Sequence, residues 1–244
     1  KDGFSSPNNP NTPNYSGPGD DSFYPGKTIN FDAQKVWDRM GKHSVVAGIN
    51  WKKESFEQKR RELTNWRNHS SFDSTTYPGG LYEINKGATN NLALFVQDTY
   101  RPNFNWAIYT GLRIDRFKKF DGQHVTYDTN NNRYDTINHG EGSYTEWSPK
   151  LAIEHYVTDS LNVYASYGHS FNPPPLSQVY RYSDVVRANP NLNPERSDTF
   201  EIGLKKEWGT KTALNLSGFY VKTKDKIKYV THYDNNGDVD YKMY

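Results

Sequence analysis

The sequence predicts an all-β chain, a transmembrane antiparallel up-and-down β-barrel of about ten strands, whole or, on the resemblance given below, a partial barrel. Three observations carry that expectation. Apolar residues recur at every second position, the period of a strand with one apolar face, instead of at the three-and-four spacing of a helix. Connections between these runs alternate short and long along the chain. Aromatic residues reach 15% although only 34% of the chain is hydrophobic, and many fall at the ends of the runs.

The strands read in order as follows. Val45, Ala47, Ile49 and Trp51 form one early apolar face. Leu92, Leu94 and Val96 alternate with Asn91, Ala93, Phe95 and Gln97; Trp106, Ile108, Leu112 and Ile114 alternate with Asn105, Ala107, Tyr109, Gly111 and Arg113. Leu151 and Ile153 continue the pattern, then Leu161, Val163, Ala165 and Tyr167, then Phe200, Ile202 and Leu204, and last Leu214 and Leu216. Counting onward from a strand that starts near Lys27 places the final strand at the end of the chain, Tyr244.

Short turns are expected at 39–42, 101–103, 158–160 and 208–210, where Pro, Gly, Asn and Asp suit tight hairpins. Long polar connections are expected at 61–87, 119–144, 173–194 and 225–238. A soluble sandwich has no reason to lengthen every second loop. An outer-membrane barrel does, with short periplasmic turns on one rim and long extracellular loops on the other. Residues 1–26, rich in Asn, Pro, Gly and Ser, fit as an extracellular loop segment of the same domain, a disordered tail being the competing reading.

Composition sets further bounds. The formal charge of +2 offers no clustered cationic excess, so nucleic acid is not an expected partner. Absence of Cys removes disulfides, thiolate metal sites and thiol nucleophiles. A mean hydropathy of −0.98 and apolar runs no longer than Leu92 to Val96 exclude a membrane helix, which needs about 20 apolar residues. Barrel strands need only alternation over about 10 residues. Trp37, Trp51, Tyr100, Trp106, Trp147, Tyr156 and Trp208 are placed to form the two aromatic girdles at the headgroup boundaries. Lys52, Lys53 and Glu54 follow Trp51 directly, so 52–61 is read as strand rising above the membrane. Lys1 is not Met and no signal pattern follows it, so the start is expected to be processed or cut.

Two boxes flank the third long connection: Phe171-Asn172-Pro173-Pro174, and Asn189-Pro190-Asn191-Leu192-Asn193-Pro194-Glu195 ahead of the strand Phe200 to Leu204. With Phe95-Val96-Gln97-Asp98, Gly111 to Asp115, Ser148-Pro149-Lys150 and Ser217-Gly218-Phe219-Tyr220, the chain resembles the barrel of a TonB-dependent outer-membrane receptor over most of 27–233. The resemblance implies the outer membrane of a Gram-negative bacterium and active uptake of a scarce ligand, a ferric siderophore first among them. The TonB complex would act through an N-terminal plug and contact segment not visible in these 244 residues. It implies a middle-to-late barrel piece of a 22-strand family. Physically, both Pro boxes stiffen the points where the chain leaves and rejoins the ladder and need no chemical role.

Ligand contacts are sought in aromatic and basic loop residues: Trp66, Arg67, His69, Phe72, Tyr77 and Tyr82 in one connection, Tyr127, Arg133 and Tyr134 in the next, Tyr180, Arg181, Tyr182 and Arg187 in the third. Flat rings and guanidinium groups suit an anionic aromatic chelate through stacking and charge-assisted bonds. Loop packing or contact with lipopolysaccharide and other outer-membrane lipid competes with that reading. In haem receptors of the resembled family a ligand His lies between the two boxes; residues 175–188 hold none, which leaves His169, just ahead of the first box. His43, His155 and His232 are isolated polar residues. Asp128, Asn130 and Asn132, and Asp234, Asn236, Asp238 and Asp240, carry oxygen donors at two-residue spacing but complete no calcium motif. No metal, cofactor or catalytic set is expected, and no enzyme activity. The rival functions are a secreted glycan-binding β-sandwich and a passive porin.

Overall fold

The computed structural model describes residues 3–5, 17–182, 186–233 and 239–243. Their fourteen strands are β1 (Gly3–Ser5), β2 (Gly19–Phe23), β3 (Gly26–Met40), β4 (His43–Leu63), β5 (Leu81–Asn103), β6 (Trp106–Asp128), β7 (Arg133–Asn138), β8 (Gly142–Thr158), β9 (Leu161–Asn172), β10 (Val186–Arg187), β11 (Glu195–Trp208), β12 (Thr212–Lys224), β13 (Val230–Tyr233) and β14 (Val239–Met243). One helical turn, α1 (Leu176–Tyr180), lies between β9 and β10. An eleven-stranded sheet runs β1-β2-β4-β5-β6-β8-β9-β11-β12, with β3 on β4 below β2, and β7 on β6 above β8. Every pairing in it is antiparallel, and the long strands β4, β5, β6, β8, β9, β11 and β12 follow one another in chain order, an up-and-down barrel wall that does not close on itself among the described residues.

The register shows why the two-residue period matters. Ala33, Ile49, Leu94, Ile114 and Trp147 stand side by side across five strands, and Ala165 and Ile202 continue the apolar face on β9 and β11. Leu94 is 57% exposed and Ile202 67%, so this face packs against none of the described residues and is the lipid face. The opposite face is polar: Asp115 is buried, accepts two bonds from Arg113 (2.8 and 2.7 Å) and one from the Asn91 amide (2.8 Å). A one-residue slip would exchange these faces on any strand, which ties register to the membrane. Trp37, Trp106 and Trp208 are exposed on this face beside the short turns, whereas Trp147, paired with Ile114 in the row of Leu94, is exposed within the apolar band and not at its edge. Tyr156 departs from that expectation. By alternation it shares the polar face with Glu154 and Tyr109, whose hydroxyl donates to Glu154 (3.0 Å).

Turns on one rim are short, at 41–42, 104–105, 159–160 and 209–211. On the other rim the strands overshoot: β5 and β6 run 23 residues each, against the about 9–11 that cross a membrane. Two expected loops change accordingly. Much of 119–144 is strand, because Val125 and Tyr127 pair with Thr136 and Tyr134 and the chain reverses within 129–132, where Asn132 takes a positive φ of 52°. Asp128 caps that turn by accepting from the Asn130 amide (2.8 Å), so its carboxylate serves the hairpin. The end of the chain also differs. Instead of a further barrel strand, β14 pairs antiparallel with β13 and parallel with β10, a small sheet tying the 225–243 region to the third long connection. Asp234, Asn236 and Asp238 lie outside the described residues.

Candidate functional site: the long-connection rim

The rim is built on a bulge. Between the pairs Lys86↔Gln123 and Ala88↔Phe120, Asp121 and Gly122 on β6 face the single Gly87 on β5, and Asp121 has a φ of 55°. A bulge re-aims the strand that carries it. Here it turns Gly122 to the same face as Gly87, and the ring of Tyr180 from α1 lies flat across both. A Cβ built on Gly87 would stand 2.1 Å from Tyr180 Cδ2, and one on Gly122 2.2 Å from Cε1. Tyr180 is 1% exposed, and burial pushes its hydroxyl up to about 12.

Beyond that seat the third connection is clamped to the wall. Tyr182 stacks on His124 (4.5 Å) and on His139 (5.5 Å, planes 3° apart). Beneath it Asn85, fully buried, offers its amide nitrogen to Gln58 Oε1 (3.1 Å), Glu83 Oε1 (3.0 Å) and the Tyr182 carbonyl (3.1 Å). Its oxygen accepts from His124 Nδ1 (2.7 Å), which fixes the tautomer of that neutral ring. Arg60 closes the network on Glu83 (2.7 Å) and Asp20 (3.3 Å). Desolvation pulls His124 below the usual imidazole range, with Glu83 opposing; desolvation, then His124, does the same for His139. The second Pro box docks through buried Lys119, whose Nζ donates to the carbonyls of Pro190 (2.7 Å) and Leu192 (3.2 Å). Burial lowers its pKa.

The residues expected to meet ligand fall into three groups. Tyr82, Tyr77, Tyr127 and Tyr134 form a chain of rings with centroids 5.5, 6.0 and 5.0 Å apart, joining two connections, and the Tyr134 hydroxyl donates to the Leu81 carbonyl (2.9 Å). Arg60 covers Tyr82 at 5.0 Å, and desolvation raises that phenol's pKa steeply. Buried Tyr180 and half-buried Tyr182 are the clamp just described, with Arg181 half-buried beside them. Trp66, Arg67 and His69 sit at the tip of the first connection, with Arg67 over the Trp66 ring at 5.2 Å and His69 exposed; Phe72 lies nearby under Arg61. Arg133 pairs with Asp135 (3.0 Å) and Arg187 lies on Tyr241 at 3.7 Å. His169 stands apart, on β9, bonded to Asp198 (2.8 Å).

Sequence reasoning passed over Asn85, Glu83, His124 and His139. Their strand alternation carries no trace of the clamp; the signal was the pair of glycines Gly87 and Gly122, each inside a long strand run where a glycine weakens the strand unless something approaches closely.

Fold and rim together define a strand-built membrane wall whose polar face is roofed at one end by long connections. The chain belongs to the TonB-dependent receptor family: the family profile described as TonB dependent receptor-like, beta-barrel, matches residues 1–243. Its place is therefore the outer membrane of a Gram-negative bacterium. The vitamin B12 transporter BtuB of Photobacterium profundum is 30% identical over 157 residues, 64% of this chain and 23% of that protein. Among solved structures, the copper transporter OprC aligns over 92% of this chain with a TM-score of 0.70 and 17% identity. The ferric yersiniabactin uptake receptor FyuA of Yersinia pestis aligns over 87% with a TM-score of 0.60 and 16% identity. The chain spans 34% and 31% of those two proteins, so it corresponds to about a third of a receptor. Family membership leaves the secreted sandwich and the passive porin without support.

Proposed function

We propose that this chain supplies wall and outer connections to an active-uptake receptor that captures a ferric siderophore and imports it with TonB-coupled energy. The observation that carries the proposal is the ring chain Tyr82-Tyr77-Tyr127-Tyr134 at the long-connection rim, with Arg67 and Arg133 exposed at the tips of the two connections it joins. Flat, polarisable faces beside guanidinium groups fit an anionic chelate with aromatic arms. Capture followed by release inward breaks no bond in the ligand, so the proposal includes no enzymatic step. TonB would act through the plug and contact segment of the receptor, and the lipid face would be bathed by outer-membrane lipid and lipopolysaccharide. The likeness to a B12 transporter favours a corrinoid as the second reading.

The test is equilibrium binding of a ferric catecholate and of cyanocobalamin to the full receptor, unaltered and with Tyr77→Ala or Tyr127→Ala. Loss of one ring contact, about 1 kcal/mol, should weaken ferric-catecholate binding about fivefold. Binding of the corrinoid with none of the chelate would replace the first reading by the second. Equal chelate affinity in all three proteins would move the site away from the tyrosines.

A further inference from the structure

On the lipid face, the row holding Trp51 reads Phe31, Trp51, Leu92, Arg116, Thr145 across five strands. The next row towards the long connections reads Ile29, Lys53, Asn90, Lys118, Ser143, and the row beyond it Lys27, Ser55, Ala88, Phe120. Four cations thus stand together at the level where the apolar band ends. Contacts hold Lys53, Arg116 and Lys118 as a group, with Lys27 at the flank. Lys53 and Lys118 approach the Phe120 ring from two sides, with Nζ 5.5 and 5.8 Å from its centroid, across the small side chain of Ala88. Arg116 donates to the hydroxyls of Thr145 and Ser143 (2.9 Å each), neutral partners that aim its guanidinium without cancelling its charge. Lys118 meets Glu141 (2.7 Å), and Asp121 follows Phe120, so the patch stays net basic. Lys27, Lys53, Arg116 and Lys118 are all exposed.

A cation that faces hydrocarbon at the bilayer midplane is strongly destabilising, and near the interface it costs little. Placement in the row of Trp51 and Leu92, for Arg116, and in the next row, for Lys53 and Lys118, is therefore tolerable only at headgroup level, and there the patch is useful. Arg is suited to bidentate phosphate contact, and Lys to a point charge beside it. Leu92 lies beside Arg116, and the row below holds Leu94 and Ile114, a surface for acyl chains. We propose that Lys53, Arg116 and Lys118, with Lys27 at the flank, bind the phosphorylated diglucosamine headgroup of a lipid A molecule in the outer leaflet. The inference rests on the membrane orientation of the proposed receptor but on none of its cargo chemistry. Charge complementarity and continuity with the apolar band favour a lipid over a protein partner, which would meet the extensions above this level.

The test uses the full receptor, delipidated in detergent, titrated with bis-phosphorylated lipid A, lipid A stripped of phosphate, and phosphatidylglycerol, with bound lipid counted by native mass spectrometry. Heat-modifiable electrophoretic mobility checks that each variant is folded. The expected result is saturable binding of bis-phosphorylated lipid A that weakens at least tenfold in K53Q/R116Q/K118Q and persists in K52Q/K150Q/K205Q, three cations removed from the opposite face. Equal affinity in the first variant, or equal binding of phosphate-free lipid A, would overturn the proposal. Phosphatidylglycerol binding as tightly as lipid A would overturn the assignment to lipid A. Because no transport is read, failure of ferric-chelate uptake leaves this test unaffected, and its own failure leaves the uptake reading unaffected.

Discussion

A methyl group added at Gly87 should unseat the third long connection. The Cβ of Gly87→Ala would stand 2.1 to 2.8 Å from three carbons of the Tyr180 ring, and the opposing Gly122 leaves that ring no room to slide towards β6. Tyr180 is nearly fully buried, so the ring must lift from the wall, and overpacking of this kind costs about 1–3 kcal/mol. That shifts the balance between docked and undocked connection about five- to 150-fold. Tryptic cleavage at Arg181 and Arg187 in the folded full receptor reads the balance directly, because cleavage requires the connection to leave the wall. Gly111→Ala is the matched control: its Cβ would find its nearest neighbour, Gln97 Cγ, at 3.6 Å, an ordinary contact. Cleavage in Gly87→Ala at the rate of Gly111→Ala would refute the seat.

Two further outcomes follow from the same structure. His124 and His139 are held neutral by burial under Tyr182, and their pKa values are depressed against about 6.5 when exposed. The undocked connection binds protons more readily, so docking is complete above about pH 6.5 and weakens as pH falls through that value towards the depressed docked values. Tryptic protection of 181–187 measured from neutral to mildly acidic pH should fall in this direction, and His139→Phe should flatten the profile; protection that rises on acidification would contradict it. On the lipid face, Leu94→Arg places a cation near the middle of the apolar band and should destabilise the barrel by about 2–4 kcal/mol in urea unfolding from lipid vesicles. Gln97→Arg on the polar face should cost far less, and equal costs would show that the two faces had been exchanged.

The strands, the lipid face and the alternation of rims were legible in the sequence because each is a local property. Leu92, Leu94 and Val96 declare their face by a period of two, and no distant residue is needed to read it. Lys52 to Arg61 declared a strand leaving the membrane, because charge cannot stay at the midplane; β4 indeed continues to Leu63. The Pro boxes were legible as structural points for the same reason, and Lys119 on Pro190 and Leu192 shows the second box docked on the wall. Where local rules failed, distant residues decided. The 119–144 connection became a hairpin extension because β5 offered Glu83 to Lys86 as a ladder for β6, and β7 then paired on the far side of β6. Residues 239–243 left the barrel wall because Val186 and Arg187 offered a parallel partner.

The sequence by itself determined the class of this protein: a strand-built wall with one face for lipid, short turns on one rim, long connections on the other, and motifs of the TonB-dependent receptors. Only the tertiary structure decided the clamp at the rim. Asn85, His124, His139 and Tyr182 are drawn from stretches of chain up to 97 residues apart, and Asn85 reaches the Tyr182 carbonyl only because the third connection folds back onto β5 and β6. A periodic pattern reports which way a side chain points from its own strand. It cannot report what arrives to meet it, and that meeting is what covers the imidazoles of His124 and His139 and seats Tyr180 on two glycines.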